Sequence, residues 1–497
     1  MTGDRRICKK PMAERLSVRD VSYYMRNVRT RMPFRYGVAS LTSVPILHVL
    51  VDVELADGTP GSGVAADILP PKWFDKDPTK SYADNIDDLV FAARAAANAY
   101  TAASTTAASV FDIWRDGYTE TLAAGDGRGL NHLTSSHGST LMERALIDAL
   151  GKTRSCTYHQ MLTAADNPLG LNLGAILPSL AGVLPAAAVA ATPQTTIAIR
   201  HTVGLADPIR DTEIPSVERL DDGLPQSLEA YLRQQGLRWL KVKVNGDLPA
   251  DVERLREIAA IVDEVALGGV SISLDGNEQY GELQSFTDLL RRVETELPAF
   301  YEMIRYIEQP LERAVALDPT QAAGIAAVCA RKPMLIDESD GDLDAFTRAV
   351  ELGYRGVSTK NCKGLFKALA NAALARRLTA EGDGAGTFFL TGEDLMNLPV
   401  VPLHQDLTHV AALGIKHAER NGHHYVRGID HLSPAERRQL LLEHADMYDA
   451  DGDTGFLRVT NGTIDIRSLQ RPGLGAGDNI DTDEMVPLKD WTFDSLA

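Results

Sequence analysis

Between Lys241 and Lys360 the chain repeats one pattern, a short apolar run that ends on a charged residue. The runs are Leu240–Val244 (carrying Lys241 and Lys243), Val270–Asp275, Tyr306–Glu308, Met334–Asp337 and Gly356–Lys360. From Lys243 through Asp275, Glu308 and Asp337 to Lys360 the intervals are 32, 33, 29 and 23 residues. A strand with its crossover helix takes about 30 residues, so the spacing predicts consecutive parallel strands. Amphipathic stretches fill the gaps at Leu228–Gly236, Asp251–Glu264, Leu283–Leu297, Pro319–Arg331 and Asp344–Gly353. Thr196–Gly204 reads as an earlier strand, and Thr387–Thr391 and Ile415–Glu419 as later ones. Lys363–Leu378 and Val401–Leu413 are the late helices. Alternation of this kind predicts an α/β fold, a (β/α)8-type barrel over residues 195–430.

Before the barrel the period changes. Asp20–Arg29 and Val44–Leu55 read as strands, and Ala56-Asp57-Gly58-Thr59 supplies turn chemistry for a meander. Residues 83–125 read as helices, including Ala92–Ala108, and Ser139–Gly151 as an amphipathic helix with a glycine stop. Residues 1–190 are therefore expected to form an α+β capping domain, with the first 15 residues loose. The Ala-, Pro- and Gly-rich stretch 165–195 is expected to be a boundary loop and a candidate cover for the site. Residues 431–497 form a C-terminal extension on the barrel or cap, with a helix capped at Ser433 and a strand at 455–459.

Composition narrows the class. With 50 basic and 68 acidic residues among 497, the chain carries a net charge of −18 and shows no basic stripe, which argues against nucleic-acid binding. No apolar run is long enough to span a membrane, and no signal peptide is visible. Cys8, Cys156, Cys329 and Cys362 are scattered and lack metal-ligand spacing, so they read as reduced thiols in a cytoplasmic protein.

The charged strand ends carry the candidate chemistry. Asp275, Glu308 and Asp337, one carboxylate on each of three successive strands, are the minimum oxygen set for a hard divalent cation. Without a cation, three converging carboxylates would repel and one would take up a proton; separate strand-end salt bridges are the plainer alternative. Alternation places Lys241 and Lys243 on one side of their strand, inside the barrel, and Lys360 across from them. Two lysines on opposite sides of a bound substrate would each face one side of the same carbon.

Lys-x-Lys, Leu-Asp-Gly-Asn, Ile-Glu-Gln-Pro-Leu, Ile-Asp-Glu-Ser and Ser-Thr-Lys together resemble the enolase superfamily, and lysines on both the second and sixth strands resemble its muconate lactonizing enzyme (muconate cycloisomerase) and mandelate racemase family. The likeness covers 195–430 closely and 20–150 in outline. It implies Mg²⁺, with Mn²⁺ as the substitute, bound by Asp275, Glu308 and Asp337. It implies acid/base roles for Lys243 and Lys360, with Lys241 assisting, and orienting roles for Asn277 and Gln309. The activity implied is removal of the proton α to a carboxylate through an enediolate. A racemase, epimerase or cycloisomerase on a small-molecule carboxylate ranks first, an acid-sugar dehydratase (a lyase) second, and a non-catalytic binding barrel third. The resemblance also suggests a homo-oligomer.

The chain departs from the family pattern in its length, with the 165–195 insertion and the C-terminal tail, and at two motifs. Asn361-Cys362-Lys363-Gly364 stands where a Gly-Gly pair is common, and Glu393-Asp394 occupies a late strand end. Glu393 or Asp394 is a candidate substrate contact or a helix N-terminal acid, and His417 a candidate contact at the barrel mouth. Arg29, Arg31 and Arg35 are candidates to close the site. His423-His424 lacks the spacing of a zinc site.

Overall fold

The computed structural model describes residues 13–36, 39–266, 269–382, 386–477 and 480–496. Most of the expected N-terminal arm, and Cys8 within it, lies outside the described residues. Three long antiparallel strands open the fold: β1 (Leu16–Tyr36), β2 (Ala39–Leu55) and β3 (Pro60–Ile68). The turn between β2 and β3 falls on Ala56–Thr59, where Gly58 supplies the left-handed φ of +86°. The β1–β2 ladder runs in register from Leu16↔Leu55, with one shift after Val18, to Arg29↔Ser43, shifts again before Phe34, and so reaches well beyond the strands expected from sequence.

Helices α1 (Tyr82–Ala103) and α3 (His132–Thr153) pack on this sheet, and α2 (Val110–Arg128) packs on both of them. The alanine run expected to continue to Ala108 stops at Ala103, because Ser104 closes α1 and Ser109 caps α2. Expected to be amphipathic, α3 is instead buried on every side from Leu133 to Gly151. It touches β3, both other helices and the 361–363 turn, and a Cβ on Gly63 would collide with its Ala145 carbonyl. Gly151 is inside α3 rather than at its end, since the helix continues to Thr153.

Eight parallel strands then form a closed ring: β4 (Thr196–Val203), β5 (Trp239–Lys243), β6 (Ser271–Asp275), β7 (Ile304–Glu308), β8 (Met334–Ile336), β9 (Gly356–Thr359), β10 (Phe389–Gly392) and β11 (His417–Arg420). β11 returns to pair with β4, His417 opposite Ala198 and Arg420 opposite His201, which closes the barrel. Leu240, Val242, Ile272, Leu274, Ile307 and Val357, which alternate with the charged strand residues and so face the surrounding helices, are fully buried. The functional mouth of such a barrel is at the C-terminal ends of its strands.

Two expectations about connections need correction. The 165–195 stretch does not cover the mouth. It forms short helical turns at Leu173–Ile176, Pro178–Leu180 and Pro185–Ala188 and docks outside the barrel, where Arg376 donates to the carbonyls of Val189 and Leu413, and Gln194 N–H donates to Ala411 O. Those partners lead into β11 at the opposite end from the mouth. In the C-terminal stretch, Thr454–Leu457 pairs with Tyr448–Asp451 in a separate hairpin, and the strand added to the barrel is Thr463–Asp465, antiparallel to β4. Val486–Pro487 adds to β1, and Arg26 pairs with Glu436 at 2.8 Å, so this stretch contacts both the cap sheet and the barrel. Among the described residues no helix is long and apolar enough to cross a membrane, and Cys156, Cys329 and Cys362 are free thiols.

Candidate active site

Lys243, Asp275 and Glu308 end β5, β6 and β7 opposite one another in register, so their side chains leave the strands at one level. Asp337 and Lys360 follow the last residues of β8 and β9 directly. β5 and β9 are four places apart in a ring of eight, which sets Lys243 and Lys360 on opposite walls.

A lysine surrounded by four carboxylates sits beneath them. Lys241 Nζ lies 2.7 Å from Glu308 Oε1, 2.9 Å from Asp275 Oδ2, 2.9 Å from Glu393 Oε2 and 3.0 Å from Glu419 Oε2. Burial alone would favour the neutral amine, but these four anions hold the Lys241 ammonium well above its ordinary pKa. Glu419 also accepts from Thr202 Oγ1 at 2.6 Å, and Glu393 pairs with the buried Arg200.

Above this layer, Lys243 Nζ lies 2.5 Å from Asp275 Oδ2 and Lys360 Nζ 2.6 Å from Asp337 Oδ2. The other oxygen of Asp337 accepts from Ser358 Oγ at 2.5 Å and Lys363 Nζ at 3.3 Å. Lys360 is also covered by the indole of Trp73, whose centre is 4.4 Å from Nζ. Burial opposes charge at Asp337, yet Lys360 and Lys363 outweigh it and keep the carboxyl far below its usual range. Asp275 is held down in the same way by Lys241 and Lys243 against burial. Glu308 moves in the opposite direction: burial and the charges of Asp275 and Glu393 push its pKa well up.

That imbalance bears on a metal. Among the described residues no three carboxylate, imidazole or thiol groups close on one point at ligand distance. Lys241 stands between Asp275 and Glu308, and Lys360 engages Asp337. The donor set nevertheless fits a hard divalent cation: three carboxylates on adjacent strand ends, with Oε2 of Glu308 buried and without a hydrogen-bond partner. Groups around them fix the carboxylates. Asn277 N–H donates to Asp275 Oδ1 at 2.8 Å, and Gln309 Oε1 accepts from Asp337 N–H at 2.9 Å. Both residues hold left-handed backbones, Asn277 at φ +44° and Gln309 at φ +33°, where the chain turns sharply beneath the mouth.

Lys241, Lys243, Asn277, Asp337, Lys360 and Glu419 line one cavity. Its other wall is apolar and comes largely from the cap: Phe34 and Leu41 at the β1–β2 tip, Ile68 ending β3, then Pro70 and Trp73, joined by Leu395 and Met396 after β10. The tip is fastened to the barrel by Phe34 stacked on Tyr425 at 4.1 Å and by Arg31 bonded to Asp222 at 2.6 and 2.9 Å.

The sequence profile of the family described as enolase C-terminal domain-like matches residues 224–481, more than half of the chain. The chain belongs to that family, within the enolase superfamily. Enolase-superfamily structures share its whole fold. A mandelate racemase/muconate lactonizing protein from Herpetosiphon aurantiacus is 18% identical, covering 93% of this chain and 98% of its own, with a TM-score of 0.57. A dipeptide epimerase from Cytophaga hutchinsonii, complexed with Mg and the dipeptide D-Ala-L-Val, is 17% identical over 95% of this chain and 98% of its own, with a TM-score of 0.56. An enolase from Bradyrhizobium, complexed with magnesium and mandelic acid, is 17% identical over 93% and 96%, with a TM-score of 0.54. No curated protein sequence matches the chain.

Of the residues singled out from sequence, this enolase-superfamily barrel brings Lys241, Lys243, Asp275, Asn277, Glu308, Gln309, Asp337, Lys360 and Glu393 into one cluster. His417 is not part of it. It begins β11 at the closed end, stacks on Trp239 at 3.7 Å and bonds Arg200 at 2.8 Å. Asp394 lines the cavity, but its oxygens accept from the backbone N–H of Asn397 and Asn421, so it stabilises the loop; burial lifts its pKa to about 6. His423 and His424 pack around His201 and Tyr231 in a buried ring cluster. Arg31 is occupied by Asp222, and Arg35 borders a separate cleft. Sequence reading missed Glu419, although it stands in a predicted strand and follows the same charged-end rule. It also missed Trp73, which lies in a loop without periodicity.

Proposed function

We propose that this chain is an enzyme that removes the proton α to a carboxylate in a Mg²⁺-dependent reaction, and that it is an isomerase of small carboxylates: a racemase, epimerase or cycloisomerase. The observation that carries the reading is the pair Lys243 and Lys360, on opposite walls of a closed barrel and lining one cavity. Bases on two faces of one carbon suit proton removal on one side and return on the other. Both side-chain nitrogens are buried and each lies against a carboxylate, so neither drifts from its side.

Asp275, Glu308 and Asp337 would hold the cation, braced by Asn277 and Gln309. Bound there, Mg²⁺ would fix the substrate carboxylate and neutralise charge that grows as the proton leaves. The remaining work belongs to the chain's own groups. Lys241, held charged by its neighbours, offsets the four carboxylates around it. The cap wall excludes water, which strengthens every electrostatic contact inside. Dipeptide epimerase and mandelate racemase/muconate lactonizing neighbours on the same fold support this class of reaction.

The test is α-proton exchange. The enzyme with Mg²⁺ in D₂O is expected to place deuterium at the α-carbon of carboxylates that bind, as read by NMR. Carboxylates that bind tightly without any exchange would overturn the reading.

A further inference from the structure

We infer that the substrate is a carboxylate bearing an apolar substituent, aryl or branched alkyl, rather than a polyhydroxylated acid, and that Trp73 is the residue that selects it. This rests on the proton-abstraction reading, which places the substrate carboxylate and its α-carbon among the lysines.

The cavity has two unlike sides. Facing the barrel, its charged groups are already committed to one another: Lys243 to Asp275, Lys360 to Asp337, Asp394 to two backbone N–H groups, and Glu419 to Lys241 and Thr202. The opposite side is built from Phe34, Leu41, Ile68, Trp73, Leu395 and Met396, all less than 9% exposed. Of these side chains only the Trp73 indole N–H is a strong hydrogen-bond donor, and none is a strong acceptor. A sugar acid would bring several hydroxyls to that surface, strip their water and leave them unpaired. An apolar substituent would gain the contact at no such cost.

Trp73 places this wall beside the chemistry, 4.4 Å from Lys360 Nζ. Its position is enforced from the barrel. Arg313 donates from Nη1 to Phe74 O at 3.0 Å and from Nη2 to Trp73 O at 3.1 Å. Arg313 is itself locked by Glu278, whose oxygens accept at 2.8 and 2.9 Å, and Lys76 from the same cap loop reaches Glu278 and, at 3.1 Å, Asn277 O. The indole is therefore a fixed surface beside the face of the substrate carbon that Lys360 serves. A planar or branched apolar group fits against it.

The experiment compares two probe series in D₂O with Mg²⁺, 2-phenylpropionate and N-acetylphenylalanine against gluconate and galactonate, following α-deuteration and measuring binding by calorimetry. The apolar acids are expected to exchange with kcat/KM on the order of 10²-fold above the sugar acids. Trp73→Gln, which replaces the indole beside Lys360 with an amide, should narrow that preference by about tenfold, whereas Trp73→Phe should retain it. Leu395→Gln, which places an amide in the wall, should narrow it by about tenfold. All three variants are read as a ratio between substrates, which general loss of folded protein does not move. Sugar acids that exchange as fast as the apolar acids, or a ratio unmoved by Trp73→Gln or by Leu395→Gln, would overturn the inference. Apolar acids that bind in preference but never exchange would instead contradict the proton chemistry and leave the apolar selection standing. Preferential binding of the sugar acids would contradict the selection.

Discussion

Lys360 and Asp337 are bonded at 2.6 Å across the ends of two neighbouring barrel strands, and the second oxygen of the same carboxylate takes Lys363 at 3.3 Å. One buried anion thus keeps two buried ammonium groups in place. Removing one member of a buried ion pair leaves an uncompensated charge and costs about 3–5 kcal/mol. Asp337→Asn is expected to lower stability by that order in urea titrations. Mg²⁺ is expected to raise the Tm of the parent chain, and Asp337→Asn should lack that rise. An unchanged Mg²⁺ shift in the variant would remove Asp337 from the cation site.

Lys241 makes a sharper version of the same point, since four carboxylates converge on it. Lys241→Met should cost at least about 3 kcal/mol at neutral pH. Glu308 is already pushed toward its protonated form by burial and its acidic neighbours. A carboxyl with a raised pKa favours the fold most when protonated, so part of the loss should return as the pH falls from neutral toward about 5. Denaturant midpoints across that range would show it.

Glu143 in α3 gives a pH prediction away from the candidate cation site. Its Oε1 accepts the N–H of Phe366 at 2.5 Å, but burial dominates and lifts its pKa from 4.5 to about 8. A raised carboxyl contributes stability that is complete below about pH 4.5 and lost as the pH climbs through about 8. Glu143→Gln removes that dependence. The variant should gain on the parent between about pH 5 and 9, by up to about 5 kcal/mol at the full shift, as read from melting curves.

The Arg313 latch predicts local dynamics. Arg313→Ala removes the donors to Phe74 O and Trp73 O. Amide hydrogen exchange across residues 72–78 should speed up well before any change in the barrel strands, because opening there becomes local rather than global.

The barrel was legible because its signal is repetitive. Apolar runs that end on a charged residue every 30 residues or so, roughly the length of a strand with its crossover helix, fit little besides consecutive parallel strands. The strand ends at Lys243, Asp275, Glu308, Asp337 and Lys360 follow from that rhythm. α3 was misread because a helical period reports burial on one face, whereas this helix is enclosed by the sheet, two helices and the barrel. The 165–195 stretch looks the same in sequence whether it covers a site or a helix back; only its bonds to Arg376 and Ala411 place it. His417 was misplaced by orientation along the strand, since it begins β11 rather than ends it. Trp73 carried no signal, because a loop residue's role depends on contacts such as those with Arg313 and Lys360, more than 200 positions away.

The central claim is that Lys243 and Lys360 serve opposite faces of one carbon. It is tested most directly by α-deuterium exchange on separate enantiomers of a chiral substrate, with Mg²⁺ in D₂O, using Lys243→Ala and Lys360→Ala. Each variant should exchange one enantiomer only, the two should choose opposite enantiomers, and neither should interconvert them. Exchange of the same enantiomer by both variants, or of both enantiomers by either, would contradict the two-sided account.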